Sequence, residues 1–350
     1  MQCLHPDLLQ WQSLTSEVLK PERHMWLLQK RTEEANNLEG KMEGQDLKKN
    51  MSTPSLLGLL IYIYAFSLSG YLPCLGVFDL DGHENMVKEA LSIINKHHDP
   101  IVDERTIQWR NGEKEVEDIL DVFITIRDSK GEPLLSVDEI KAQIIELMIF
   151  QSLVDNPAHA AEWAMAEMIN KPEILQKAVE EIYRVVGKER LVQESNIVQL
   201  KYVKACAREA LRLHPIAPFN IPHVSMADAV VVGYLICSHV LLSLIGLRRN
   251  PWEEPLRFQL ERHMNDDVVD LAELELRFIS FSTGRRGCPG TALGTAMTVT
   301  LLARLLQGFS WSASLNQEQT DLKESMNDLF LAKPLHAHAK PRLHALMYGD

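Results

Sequence analysis

The run Phe281-Ser282-Thr283-Gly284-Arg285-Arg286-Gly287-Cys288-Pro289-Gly290 puts a single cysteine at the end of a glycine-rich loop, with an apolar helix expected directly behind it, from about Thr291 to Leu306. Gly284, Gly287 and Gly290 carry no Cβ, so they admit left-handed dihedrals and let a flat, bulky group lie close to the backbone. Pro289 is expected at the first helical position, where its missing N–H costs nothing. Cys288 then sits at the positive end of a helix dipole, with free backbone N–H groups aimed at its sulfur. That setting favours thiolate over thiol. A thiolate presented this way is a ligand for a soft or borderline metal, or a nucleophile.

Working outward, the chain of 350 residues is 46% hydrophobic, enough for a large core in one or two domains. Its 36 basic and 48 acidic residues leave a net charge of −12, which argues against a nucleic-acid partner. The cysteines, Cys3, Cys74, Cys206, Cys237 and Cys288, are scattered and contain no C-x-x-C pair. Neither a disulfide framework nor a zinc site is suggested, and a reducing cytosolic face fits best. The N-terminus, Met1 to Asp7, lacks the basic start and apolar core of a signal peptide. Met51 to Phe78 contains no charge and by length could span a bilayer. Pro54, Gly58, Gly70, Pro73 and Gly76 interrupt it, so the expectation is a hydrophobic helix pair, partly core and partly a surface that dips into a membrane.

Residues 8–48 are expected to be largely helical and amphipathic. Asp79 to His83 reads as a turn capping a helix over 84–98, and a further helix is expected over 113–127. Ser136-Val-Asp-Glu139 is a capping box that starts the longest expected helix, running to about Asn170, roughly 50 Å at 1.5 Å per residue. Its one interruption is Asp155-Asn156-Pro157, where the proline removes an intrahelical bond and kinks the helix. Helices over 171–186 and 199–214 follow. The second carries Glu209-Ala-Leu-Arg212, an acid and a base on one helix face. Phe258-Gln-Leu-Glu-Arg-His263 comes next, and β-type segments are expected over 219–224, 229–235 and 239–242. The tail from Asp321 reads as strand and loop.

The pattern F-x-x-G-x-R-x-C-x-G is filled at every fixed position, by Phe281, Gly284, Arg286, Cys288 and Gly290. It resembles the haem-binding loop of the cytochrome P450 family, and the E-x-x-R of Glu209 and Arg212 and the segment carrying Arg262 resemble that family's two further motifs. The resemblance implies a mainly α fold, a helical bundle with a long kinked central helix and a small β-sheet region, incomplete at the N-terminus. It implies one truncated domain over 1–350: remnant helices over 1–50, the apolar segment 51–78, the central helix 136–170, the E-x-x-R helix 199–214, and the haem loop with its following helix over 281–306. The implied cofactor is haem b, with the Cys288 thiolate as the metal ligand pushing electron density onto iron to favour O–O cleavage. Phe281, Gly284, Arg286 and Gly290 are implied cofactor contacts; Arg286 and His223 are the implied propionate partners. Glu209, Arg212 and Arg262 are implied to form a buried, chiefly architectural network.

Asp155, Asn156 and Pro157 are the implied catalytic residues, a distal groove in which kinked backbone and a trapped water relay protons. Typical members place a threonine where this chain has Asn156-Pro157. That substitution, with Ile221-Pro222-His223-Val224-Ser225 and the cysteine loop, resembles the plant amino-acid N-monooxygenases. Such enzymes convert an amino acid to its aldoxime by two N-hydroxylations, a dehydration and a decarboxylation. The implied partners are O2, an amino acid, NADPH–cytochrome P450 reductase and a membrane surface, with no nucleic acid, on the cytosolic face of the endoplasmic reticulum. Against this stand departures from the pattern. The family's N-terminal membrane helix, proline-rich hinge and first sheet have no counterpart, Leu260 replaces a proline, and Leu153 stands where a small residue is usual. Overpacking of the last kind costs about 1–3 kcal/mol. The alternatives are a truncated, inactive relative with weak or no haem binding, and a membrane-associated scaffold without chemistry.

Overall fold

The computed structural model describes residues 79–80, 82–112, 115–128, 130–149, 155–216, 223–238, 241–242, 253–264, 269, 271, 280–282, 287–288, 290–314, 318–325, 331–344 and 347. The chain divides into two compact units; the described residues up to Ile149 belong to one, and those from Asp155 onward to the other. The helices expected over 8–48 and the apolar segment 51–78 lie outside the described residues. Among the described residues no helix is long and apolar enough to cross a membrane.

The first unit holds α1 (His83–Arg110), α2 (Ile119–Thr125) and α3 (Val137–Ile149). The Asp79 carboxylate caps α1 by accepting from the N–H groups of Glu84 (2.9 Å) and Asn85 (3.1 Å). The helix does not stop at His98. It continues through Pro100 to Arg110, because its second half carries Val102 into a core with Val122, Phe123, Leu135 and Ile140. Burying side chains of this kind returns about 1.5–3 kcal/mol each, against about 3 kcal/mol for an interior proline. The helix expected from Glu113 begins only at Ile119. Asp118 and Asp121 form a capping box, each carboxylate taking the other's N–H, and this fixes the start. Arg105 joins both carboxylates, at 2.7 and 2.9 Å, and Trp109 Nε1 donates to Asp121 at 2.8 Å. At α3 the Ser136 N–H donates to Glu139 (2.8 Å) and the Glu139 N–H to Ser136 Oγ (3.3 Å), the expected box.

The second unit contains α4 (Asp155–Ile169), α5 (Pro172–Val185), a 3-10 helix (Glu194–Gln199), α6 (Lys201–Leu213), α7 (Glu261–Met264) and α8 (Thr291–Gly308). Its strands form three antiparallel pairs: β1 (His223–Val224) with β4 (Leu241–Leu242), β2 (Ala229–Val231) with β3 (Tyr234–Ile236), and β5 (Phe309–Ala313) with β6 (Ala337–Pro341). The mainly helical class with little sheet is the one expected. Helix α4 packs against both α6 and α8. Trp163 and Met168 of α4, Ile182 of α5, Leu200, and Leu302 and Leu306 of α8 are fully buried in one core. On α5, Leu175, Ala178, Val179 and Ile182 recur three and four apart, so one face is apolar. Leu260, standing where the family has proline, is also fully buried in this core.

Helix α6 has no capping side chain of its own. The buried Glu181 of α5 supplies one, accepting from the N–H groups of Tyr202 (2.9 Å) and Val203 (3.0 Å). At the other end of the core, Gln307 of α8 takes the Val192 N–H (2.9 Å) and donates to the carbonyls of Gly187 (3.1 Å) and Arg190 (2.9 Å).

Several expectations change. The span 136–170 is described as α3 and α4, on either side of residues 150–154, which lie outside the described set. Pro157 is the third described residue of α4, and the kink expected there borders residues outside the described set. The strand expected over 229–235 is a hairpin, turned at Val232 and Gly233 with φ of 50° and 81°. Apolar residues on both strands and at its tip, Val230, Val231, Val232, Tyr234 and Leu235, are exposed. The 3-10 helix falls where loop was expected, and α7 falls in the segment carrying Arg262, for which no element was expected.

Candidate functional site

Helix α8 begins at Thr291, with Gly290 as its N-cap at φ −82° and ψ 7°. The helix starts at Thr291, the expected position, and Gly290 is not left-handed. The left-handed residue described in the loop is Ser282, φ 60°. The Cys288 N–H donates to the Phe281 carbonyl at 2.8 Å and closes the loop. The Cys288 carbonyl accepts from Thr291 Oγ1 at 2.7 Å. The ring of Phe281 lies against α8, its Cε1 3.9 Å from where a Cβ on Gly294 would sit. Gly284 and Arg286 lie outside the described residues. His223 stands in β1 opposite Leu242.

Cys288 is a free, half-buried thiol. Burial pushes it upward, and the opposing bonds from the Gly290 backbone and the Thr291 side chain only partly offset this. The expected preference for thiolate is therefore reversed in the chain by itself. Desolvation of an anion outweighs the donors at the helix start. A metal cation bonded to the sulfur removes that penalty, since a coordinated thiol is deprotonated outright.

One feature fits the loop to a porphyrin iron. Ser282 Oγ, within the loop, and Thr295 Oγ1, one turn along α8 from Thr291, are buried with no hydrogen-bond partner. Native interiors leave few such groups unsatisfied.

Behind the loop lies a finished polar cluster. Arg212 grips Glu209 with two bonds, Nε to Oε2 at 2.7 Å and Nη2 to Oε1 at 2.9 Å. Arg262, from α7, reaches Glu209 Oε1 at 3.3 Å. Glu209 also accepts from the Gln259 N–H (2.9 Å) and faces His263 Nε2 at 2.8 Å. The two arginines also hold backbone: Arg212 donates to Pro255 O (2.7 Å), and Arg262 to the carbonyls of Glu253 and Glu254. The structure thus brings together the three residues singled out in the sequence and adds His263. Burial acts to raise the Glu209 carboxyl, but the bonds from His263 and Arg212 hold it below the usual carboxylate range.

Asn156 is half-buried and Pro157 buried in the first turn of α4, the helix that packs on α8; the Asp155 side chain lies outside the described set. Further along α4, sequence reasoning missed two contacts. Trp163 stacks on His214, with ring centroids 3.7 Å apart and planes 4° from parallel, while His214 Nε2 lies 3.1 Å from Glu167. Glu162 accepts the Leu335 N–H at 2.9 Å and so ties the tail to α4. A long-range stack or a side-chain bond to backbone leaves no spacing signal, so nothing in the sequence marked either.

Comparison with known proteins gives concordant results. The family model described as Cytochrome P450 matches residues 64–340. Tyrosine N-monooxygenase of Sorghum bicolor is 48% identical over 386 aligned positions, covering 96% of this chain and 69% of that protein. Phenylalanine N-monooxygenase of Arabidopsis thaliana is 55% identical over 311 positions, covering 87% of this chain and 58% of that protein. Valine N-monooxygenase 1 of Manihot esculenta is 48% identical, with 96% and 70% covered. The first alignment is longer than the chain's 350 residues, so that relative carries residues within the matched region that this chain lacks.

Proposed function

The chain belongs to the cytochrome P450 family of haem-thiolate monooxygenases, and from that premise we propose that it N-hydroxylates an amino acid and yields the aldoxime. The observation that carries this reading is the pattern of identities. Relatives named for tyrosine, tryptophan and valine stand at the same 48%, and one named for phenylalanine at 55% over a shorter alignment. Similarity to enzymes that differ in side chain but share a reaction supports the reaction and leaves the side chain open.

Cys288 is the proposed iron ligand. Haem b bound there supplies activation of dioxygen with electrons delivered one at a time. The chain's own groups do the rest. The Phe281 carbonyl holds the Cys288 N–H, and the Gly290 backbone stabilises charge on the sulfur. Gly284, Arg286 and His223 are the further proposed cofactor contacts, and Arg286 and His223 would hold the propionates. Asp155, with Asn156 and Pro157 in place of the usual alcohol, would relay protons to the oxygen chemistry that the haem would supply. Each N-hydroxylation consumes one O2, two electrons and two protons and releases one water; dehydration and decarboxylation then give the aldoxime. A redox partner, O2 and a small substrate come with the family. NADPH–cytochrome P450 reductase and the cytosolic face of the endoplasmic reticulum membrane are the proposed specific partner and place.

The test is direct. Full chain, reductase and NADPH are incubated with each protein amino acid, and aldoxime is sought by mass spectrometry. In parallel, the CO complex of the reduced protein is recorded for wild type and Cys288→Ala. The expected result is an aldoxime from at least one amino acid and a red-shifted Soret band that Cys288→Ala abolishes. A thiolate-type band without any aldoxime would remove the substrate class while leaving haem binding. Absence of the band would remove both.

A further inference from the structure

We infer that the β2–β3 hairpin, residues 229–236, is a membrane-inserting element whose tip enters the headgroup layer and the upper acyl chains of a lipid bilayer. The inference rests on the membrane placement proposed above and names the surface that makes the contact. It does not depend on the haem reading.

The strands pair Ala229 with Ile236, Val230 with Leu235 and Val231 with Tyr234. Directly opposed residues share a face, and successive residues alternate between faces. Val230 and Leu235 therefore occupy one face, and Val231 and Tyr234 the other. All four are more than half exposed, and Val232 at the tip is 90% exposed. No Asp, Glu, Lys or Arg stands between Asp228 and Arg248 in the sequence. At its base the hairpin turns polar. The Ser238 N–H donates to Asp228 Oδ1 at 2.7 Å, and Ser225 Oγ donates to the Cys237 carbonyl at 2.6 Å.

A contiguous exposed apolar patch marks an interaction site, and the two faces decide what covers this one. A protein partner, or a second copy of this chain, packed on one face of a two-stranded sheet leaves the other face in water. A lipid medium surrounds the tip and covers both. The dimensions agree. Three residues at about 3.3 Å each give a strand about 10 Å long, and interfacial apolar elements sit about 5–10 Å deep. The outer edges of a lone hairpin carry unpaired backbone groups, which keeps it in the interface and out of the hydrocarbon centre. Tyr234 brings a ring that is apolar in body and polar at its end, suited to the headgroup level. With a net charge of −12 on the chain, attraction to anionic lipid is not the drive; apolar burial is.

The turn is an independent sign. Val232 and Gly233 have φ of 50° and 81°, a two-residue hairpin turn in which Asn-Gly is the relaxed choice. A β-branched residue is strained at positive φ. The chain thus sets an apolar side chain where a polar one would suit both backbone and water better.

The full chain is prepared as wild type, Val232→Asn, Leu235→Ser and Tyr234→Ser, and sedimented with phosphatidylcholine vesicles at low and high salt. Deuterium exchange of the amides over 229–236 is read with and without vesicles. Wild type is expected to bind at both salt concentrations, with slowed exchange over 229–236. Each variant is expected to bind about tenfold more weakly, the effect of withdrawing one apolar side chain from lipid. Asn tolerates the left-handed turn, so Val232→Asn should melt at or above the wild-type temperature without lipid, which separates lost binding from lost folding. Variants that bind like wild type, or vesicle-bound protein with unchanged exchange over 229–236, put the contact elsewhere and overturn the inference while leaving the membrane placement. Weakening by only one of Leu235→Ser and Tyr234→Ser means a one-sided contact and also overturns it. A dimer that forms without lipid and is lost in the variants makes a second copy the occupant, and the inference is wrong. A wild type that ignores vesicles removes the inference and the membrane placement together. The CO band of the same samples reports on haem separately.

Discussion

The Glu209 cluster and the Cys288 loop belong to the same unit yet are polar in opposite ways. Glu209 is fully buried and both its oxygens are engaged, by Arg212, Arg262, His263 and the Gln259 N–H. The loop around Cys288 has a thiol pushed upward by burial, an unpartnered Ser282 hydroxyl on a left-handed residue, and another unpartnered hydroxyl at Thr295. The difference sets a carboxylate with both oxygens engaged against the loop proposed to hold the cofactor. A carboxylate engaged at both oxygens holds segments together. A loop with unpartnered hydroxyls and a thiol pushed upward by burial is what the proposed cofactor site would leave when the chain is taken alone.

That contrast can be broken most forcefully at Glu209. Glu209→Gln strands two buried guanidinium groups, and a loss of about 3–5 kcal/mol is expected in urea unfolding, with or without haem. A loss under about 1 kcal/mol would put the cluster in the same class as exposed ion pairs. Acid sharpens the point. Because the Glu209 carboxyl is held below its unfolded value, its contribution is complete above the ordinary carboxylate range and fades as pH falls through the lower, folded value. Stability should therefore hold to about pH 4 and decline steeply below it, and Glu209→Gln should lack its share of that decline. The loop is expected to respond with the other sign. In haem-free protein, Ser282→Gly relieves a left-handed non-glycine residue and an orphaned hydroxyl and should stabilise by about 1 kcal/mol. Thr295→Val should be neutral or stabilising by about 0.5 kcal/mol in the same protein. Destabilisation by either, measured without haem, would mean that the loop is as self-sufficient as the cluster.

Much of this was legible beforehand, for identifiable reasons. The cysteine loop carries its chemistry in consecutive residues, so pattern alone located it. Glu209 and Arg212 lie three apart on a helix, a spacing that has a geometric meaning. His263 was invisible because it reaches Glu209 across the fold, with no periodicity to announce it. The state of the Cys288 thiol was misjudged because helix-start donors can be read from a sequence while desolvation cannot. Pro100 reads as a helix stop, yet Val102 and its core neighbours carry α1 past it. Asp118 and Asp121, both short acids, looked like interior helix residues and instead set where α2 begins. The apolar run 229–236 concealed a turn, because only Gly233 hints at one and Val232 argues against it.

Glu181 has a kinetic consequence. Since α6 obtains its first-turn acceptor from a neighbouring helix, its opening residues cannot be completed by local chain alone. Docking of α5 should precede final closure of the α6 start, and the amides of Tyr202 and Val203 should gain protection from deuterium exchange together, in step with α5. The two helices then form one cooperative unit, assembled in a set order by a single carboxylate.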